Sequence, residues 1–211
     1  MRGTRVQARV DAGLTDGAAA AAADGRDRTQ PRVVLRPPTW SDRGEFTELM
    51  RVSRNFHKPW ATAPTDDERF AAYLTDDARE DFEAMLVCRL TDGAIVGFIN
   101  LSQIFRRNFK SAYVGYAAGK PFAGQGYMSE GLDLVLRHAF VDLRLHRIEA
   151  NIQPGNQASI ALARGAGFKR EGYSPRYLKI GGRWRDHERW ALVVDEWRVR
   201  AARPAEPGAR G

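Results

Sequence analysis

The stretch GKPFAGQGYMSEGLDLVLRHAF, from Gly119 to Phe140, decides the fold. Glycines cluster at positions 119, 124 and 126 and then give way to Met128, Leu132, Val135, Leu136, Ala139 and Phe140, spaced for one face of a helix. This is a loop feeding a helix, predicted from Gly126 to about Val141. The segment before it, SAYVGYAAG, and the segment after it, HRIEANIQ, both read as strands, so a parallel pair is expected where the helix crosses over between them.

Outward from this unit the chain alternates in period. PRVVLRPP reads as a strand ended by Pro37-Pro38. SDRGEFTELMRVSRNF is a helix with Ser41 as its expected N-cap, and TDDERFAAYLTDDARE is a second helix capped by Thr65 or Asp66. FEAMLVCRL, the turn TDG and AIVGFINLSQI form a hairpin, since Asp-Gly between alternating apolar runs is a strong short-range turn signal. After HRIEANIQ come a short helix in NQASIALARGAG, closed by Gly165 or Gly167, and a terminal hairpin around GGR. The fold class is therefore α/β (α+β), one domain with a mixed sheet flanked by helices.

The chain has 211 residues, enough for one complete core. Residues 1–30 read as a disordered Ala/Arg-rich extension, 31–198 as the domain and 199–211 as a disordered tail. No apolar run approaches the roughly 18 residues of a membrane span, so no membrane partner is expected. The single cysteine, Cys88, excludes an internal disulfide, sits in an apolar run and suits a cytoplasmic protein. The net charge of +7 is concentrated after Ala161, where 12 Arg or Lys face 6 Asp or Glu. An anionic partner and a merely solvated basic face both fit that balance. The four histidines lack metal-ligand spacing, and no metal is expected.

Three phosphate-binding patterns compete for the glycine loop. A P-loop fails because Gln125 and Gly126 stand where Lys and a hydroxyl belong, and a dinucleotide loop is weak because Ser129 replaces its third glycine. The third pattern, glycines at the fourth and sixth positions of a six-residue loop between strand and helix, is met by Gly124 and Gly126. Without Cβ atoms the backbone can approach a pyrophosphate, whose charge rests on unpaired N–H groups and the positive end of the helix.

The loop, the preceding VGY, the downstream NQAS, HKPW near the first helices, EGYSPRYL, GGRWRDH and the final DEW together resemble the GNAT N-acetyltransferases. Within them they are most similar to the RimJ/RimL group that acetylates ribosomal-protein N-termini. The resemblance implies a splayed central sheet and acetyl-CoA as co-substrate. It places the pantetheine arm along Tyr116, Ala117 and Ala118, and the pyrophosphate on Phe122, Gly124, Gln125, Gly126, Tyr127 and Met128. Pro121 departs from the pattern by lacking both an N–H and a polar side chain. The resemblance also implies a cofactor contact from Asn156 and a proton donor or sulfur stabiliser in Ser159; a capping Asn156 and a solvent-facing Ser159 are the plainer alternatives. The expected general base is missing, because Arg176 stands at the usual acidic position. Asp186 and Glu149 are the candidates for that role, with loss of the proton to water as the alternative, and Asp186 reads equally well as a structural partner of Arg183 or Arg185. His187, next to Asp186, should point to the opposite face of its strand. Trp60, Tyr177 and Trp184 are candidate walls of an acceptor groove, although most such aromatics are core.

The expected activity is acetyl transfer to a primary amine, the N-terminal α-amine of a protein or peptide, ribosomal proteins being the type the resemblance points to. A small-molecule or antibiotic amine acetyltransferase is the rival enzyme. The rival from another class is a non-catalytic acyl-CoA-binding, ribosome-associated module. No sequence-specific nucleic acid is expected, because the strands lack the aromatic and basic interleaving of an RNA-binding surface. Either a monomer or a homodimer fits.

Overall fold

The computed structural model describes residues 30–202. The expected N-terminal extension and most of the expected tail lie outside the described residues. β1 (Val33–Arg36) leads through a single turn of 3-10 helix to α1 (Arg43–Val52), α2 (Arg54–His57) and α3 (Asp67–Asp77). β2 (Phe82–Arg89), β3 (Ile95–Phe105) and β4 (Ser111–Ala118) follow as a meander. α4 (Tyr127–Arg137) continues as a π-helical turn over His138–Asp142, before β5 (Arg147–Ile152), α5 (Gln157–Gly165), β6 (Lys169–Ile180), β7 (Arg183–Val193) and α6 (Val194–Ala201). Strand order is β1-β2-β3-β4-β5-β7-β6, and β4–β5 is the parallel pair that the crossover predicts.

Caps explain several boundaries. The N-cap of α3 is Asp66, whose carboxylate accepts from Arg69 N–H at 2.9 Å. Before α1 the capping role falls to Thr39 and Asp42 rather than Ser41. Asp42 accepts from Thr39 N–H (2.7 Å) and is clamped by both terminal nitrogens of Arg36, so a buried carboxylate is fully satisfied. Gly167, with φ of 94°, closes α5 in the left-handed conformation. The sequence reading did not identify α6. Its first turn carries Asp195 and Glu196 and its last turn Arg198 and Arg200, the charge order that suits a helix dipole.

Two cores clamp the sheet. The larger lies under α4 and α5 and runs the width of the sheet, from Val87 and Ile99 through Val114 and Ile148 to Trp190 and Leu192. The smaller lies under α1 and α3, where Phe46, Met50, Phe70 and Tyr73 meet Leu86, Cys88, Phe98 and Ala117. The smaller core reaches no further than β4. On that face, β5, β7 and β6 are left without a helical cover, and the site described next opens there.

His138, in the π turn, bridges Glu83 on β2 (2.8 Å) and Asp142 (3.0 Å). Burial disfavours the imidazolium, but the two carboxylates outweigh it and raise the His138 pKa above its ordinary value. The sign follows from linkage. A raised folded-state pKa stabilises the protein fully below the unfolded value of about 6.5, and that gain is lost as pH rises through the folded value. In thermal melts the gap between parent and His138→Gln should narrow as pH rises above about 6.5. A gap that widens instead contradicts the assignment.

Candidate active site

β4 and β5 stay paired for only three residues, Ser111–Tyr113 against Arg147–Glu149. Past that point β4 pairs with β3 alone through Ala118, and β5 with β7 alone through Ile152. The strands part into a wedge whose facing edges carry unpaired backbone groups, apart from the Ala118 carbonyl, which accepts from His57 Nε2–H at 2.8 Å.

The glycine loop closes the wide end of the wedge. Gly124 and Gly126 have φ of 74° and 84°, a region that residues with a Cβ rarely enter, so both glycines also set the backbone path of the loop. The N–H groups of Gly124, Gln125, Gly126 and Tyr127 carry no hydrogen bond among the described residues, and they gather at the N-terminus of α4. Pro121 has a positive role here: it sits in the 3-10 turn Lys120–Phe122, and its carbonyl accepts from Gln125 Nε2 at 2.8 Å, shaping the loop from within.

The loop is braced by residues that local sequence signals missed. Arg32 donates from Nε to Glu130 (2.7 Å) and from a terminal nitrogen to the Gln125 carbonyl (3.0 Å), and it lies 4.8 Å from the centre of the Tyr127 ring. The Ser53 hydroxyl accepts from Lys120 N–H at 2.8 Å. Arg32 and Glu130 are 98 residues apart, and no pattern of spacing signals such a pair.

α5 brings Ser159 to the wedge. The Tyr116 hydroxyl, on the splayed part of β4, donates to the Ser159 carbonyl at 3.2 Å, and burial pushes that phenol up to about 12, so it remains a donor. Asn156 is the N-cap of α5 and accepts from Ser159 N–H at 3.2 Å. Capping uses only its oxygen and leaves its amide nitrogen without a partner. The half-buried Ser159 side chain also meets the Tyr116 phenol as a hydrogen-bond partner, which offsets part of the effect of burial there.

Asp186 and Glu149 are differently employed. Tyr173 O–H and Arg176 N–H donate to the two Asp186 oxygens at 2.5 and 2.7 Å, and these bonds hold its carboxyl below the usual carboxylate range. They also fix an irregular stretch of β6 in which Arg176 has φ of 48°, so the basic residue at the expected acidic position is contacted through its backbone. Glu149, the last residue of β5 paired with β4, accepts from Arg147 Nε at 2.8 Å. His187 is buried on the opposite face of β7, as alternation requires, and burial lowers its pKa.

Trp60 and Trp184 share a cleft of about 260 Å³ with Gln153, Pro154, Gly155, Arg185 and Asp186. A Cβ on Gly155 would meet Trp60 Cη2 at 2.8 Å, so the indole lies directly on the turn before α5. The Arg185 Nε is buried without a partner among the described residues. Tyr177 stands outside the cleft, with its ring 6.2 Å from that of His187. Among the described residues no group of three or more His, Cys, Asp or Glu side chains is placed to hold a metal ion, and no helix is long and apolar enough to cross a membrane.

A wedge of open strand edges beside a cradle of amide donors fits a long ligand with amides at one end and a diphosphate at the other, which is the chemistry of an acyl-coenzyme A. Residues 32–169 match the Acetyltransferase (GNAT) domain, and the chain belongs to this family of N-acetyltransferases, for which acetyl-CoA is the co-substrate. The [Ribosomal protein uS5]-alanine N-acetyltransferase of Escherichia coli K12 is 33% identical over 80% of this chain and 91% of its own length. The probable N-acetyltransferase YjcK of Bacillus subtilis is 30% identical over 76% of this chain and 93% of its own. Among solved structures, Mycobacterium smegmatis RimJ in complex with CoA-disulfide superposes with a TM-score of 0.70 at 28% identity, covering 78% of this chain and 83% of that one. A spermidine N(1)-acetyltransferase of Vibrio cholerae is more distant, at 21% identity over 74% of this chain and 91% of its own length.

Proposed function

We propose that the protein acetylates the N-terminal α-amine of a protein or peptide, of the ribosomal-protein type, in the cytoplasm. The observation that carries this reading is the composition of the cleft. Two tryptophans and a buried, unpartnered Arg185 donor line it, and its one carboxylate, Asp186, already accepts two hydrogen bonds. A polyamine needs carboxylates able to take up its charges, whereas a peptide offers backbone carbonyls to Arg185 and an apolar stem to the indoles.

In this reading the amides of Gly124, Gln125, Gly126, Tyr127 and Met128 bind the diphosphate, with Phe122 against the loop. The edge of β4 from Tyr116 to Ala118 orients the pantetheine arm, and the Asn156 amide nitrogen adds a donor. Acetyl-CoA supplies the acetyl group as a thioester. Ser159 donates the proton that the departing thiolate needs. Trp60 and Trp184 hold the acceptor peptide, and Tyr177 borders its approach. Asp186 and Glu149 border the approach of the ammonium to the wedge, whose open mouth lets its proton pass to water. Thiol release with acetyl-CoA tests the acceptor. Peptides beginning with Ala or Ser should turn over at least about tenfold faster, by kcat/KM, than spermidine or an aminoglycoside, and the reverse order refutes the peptide reading.

A further inference from the structure

The end of the sheet away from the glycine loop carries a surface that acetyl transfer does not use. The turn joining β3 to β4 is exposed throughout, and its two phenyl rings, Phe105 and Phe109, are 50% and 77% exposed and lie 6.0 Å apart. Arg106, Arg107 and Asn108 sit between them and Lys110 follows. The aromatic and basic interleaving that the strands lack is therefore present in this turn. The turn is anchored, because the Lys110 carbonyl accepts from both His146 N–H (2.6 Å) and Arg147 N–H (3.1 Å).

Beside it opens a cleft of about 730 Å³, lined by Asn108 and Lys110 from the turn, Arg144 and His146 before β5, and Trp197 and Arg198 of α6. Trp197 is held by Phe140, with ring centres 5.4 Å apart. Arg106 donates to the Glu80 carbonyl, and Arg198 lies 3.8 Å from Asp195. Arg107, Lys110 and Arg144 have no ion-pair or hydrogen-bond partner for their side chains among the described residues. Of the nearby carboxylates, Asp81 is taken by Arg79 and Asp142 by His138.

We infer that this end of the molecule binds single-stranded RNA, with bases stacking on Phe109 and Phe105 and the backbone running through the basic cleft. Unpaired cations call for an anion, and exposed planar rings call for flat apolar partners; a single strand supplies both at a regular spacing. An acidic peptide would leave the rings unused, and a flat bilayer would leave the concave cleft unfilled. The choice of RNA over DNA rests on the ribosomal acceptor class proposed above, while the surface itself does not depend on it.

Fluorescence anisotropy of the full chain with a labelled oligouridine of about 12 nucleotides tests the inference. Binding should weaken steeply with salt, and Arg107→Glu and Arg144→Glu should each reduce both affinity and salt slope. Phe109→Ala should weaken binding about tenfold. All three positions are exposed and far from the wedge, so peptide-dependent thiol release and stabilisation by acetyl-CoA should stay at parent values. RNA affinity unchanged in all three variants would overturn the inference. So would tighter binding to phosphatidylserine vesicles, a polyglutamate peptide or an oligothymidine of the same length. Because binding and thiol release are read separately, failure of one is distinguishable from failure of the other.

Discussion

Replacing Ser159 by Ala should lower kcat about 100-fold while leaving KM for acetyl-CoA within about twofold. The substitution leaves the local frame in place. Two hydrogen bonds of Ser159 use its backbone, the N–H to Asn156 and the carbonyl from Tyr116, and it preserves both while losing the hydroxyl's contact with the Tyr116 phenol. Alanine is also the better helix former, so the first turn of α5 should hold its shape. What is lost is a donor for a thiolate that develops only in the transition state. A hundredfold loss corresponds to about 2.7 kcal/mol of transition-state stabilisation. Thermal stabilisation by acetyl-CoA supplies the control and should match the parent. A kcat within threefold of the parent would remove Ser159 from the mechanism and leave water as the proton source.

The second large effect concerns stability. Phe46 is fully buried at the hub of the smaller core, with ring centres 5.1 Å from Phe70, 5.6 Å from Tyr73 and 5.5 Å from Phe98. Phe46→Ala should cost about 3–5 kcal/mol, from lost transfer energy plus the cavity left among rings that cannot collapse into it. Set against a typical total of about 5–15 kcal/mol, that is enough to bring the protein near its unfolding midpoint at modest denaturant. Function should suffer first. Ser53 closes α1 and accepts from Lys120 N–H, and His57, one turn on, holds the Ala118 carbonyl, so loosening α1 loosens the glycine loop. Phe46→Leu, which keeps most of the volume, should recover the greater part. Urea titration reads both variants, and a loss under about 1 kcal/mol for Phe46→Ala would mean that the cluster repacks.

The parts of this architecture legible in the chain are those governed by short-range rules. Gly124 and Gly126 announce left-handed backbone before a helix, Asp92-Gly93 announces the hairpin between β2 and β3, and the helical spacing after Tyr127 announces the crossover that makes β4 and β5 parallel. The helix formed by Val194–Ala201 escaped because it is short, largely polar and follows directly on Val193, the last residue of β7. At the site, distance in sequence was the obstacle. Arg32 reaches Glu130, and His57 reaches the end of β4, only because the sheet brings the first third of the chain against the loop. Arg176 illustrates a different obstacle: the alphabet of side chains suggested a lost acid, but the backbone N–H of that residue is what Asp186 engages. The candidate groove aromatics Trp60 and Trp184 share one cleft, Tyr177 stands outside it, and Arg185, which lines the same cleft, has no local signal that separates it from the other arginines nearby.

The smaller core ends at β4, and this separates two kinds of inheritance. Residues that keep the protein folded lie in the two cores, whereas Trp60, Trp184 and Arg185 belong to neither cluster and line the cleft beside the turn before α5. Substitutions there should cost little in foldedness, because no packed layer has to be rebuilt, and on the proposed function they would change the acceptor. A scaffold partitioned in this way can diversify its clientele while conserving its co-substrate, and relatives named for a ribosomal protein and for spermidine are what such a partition would leave behind.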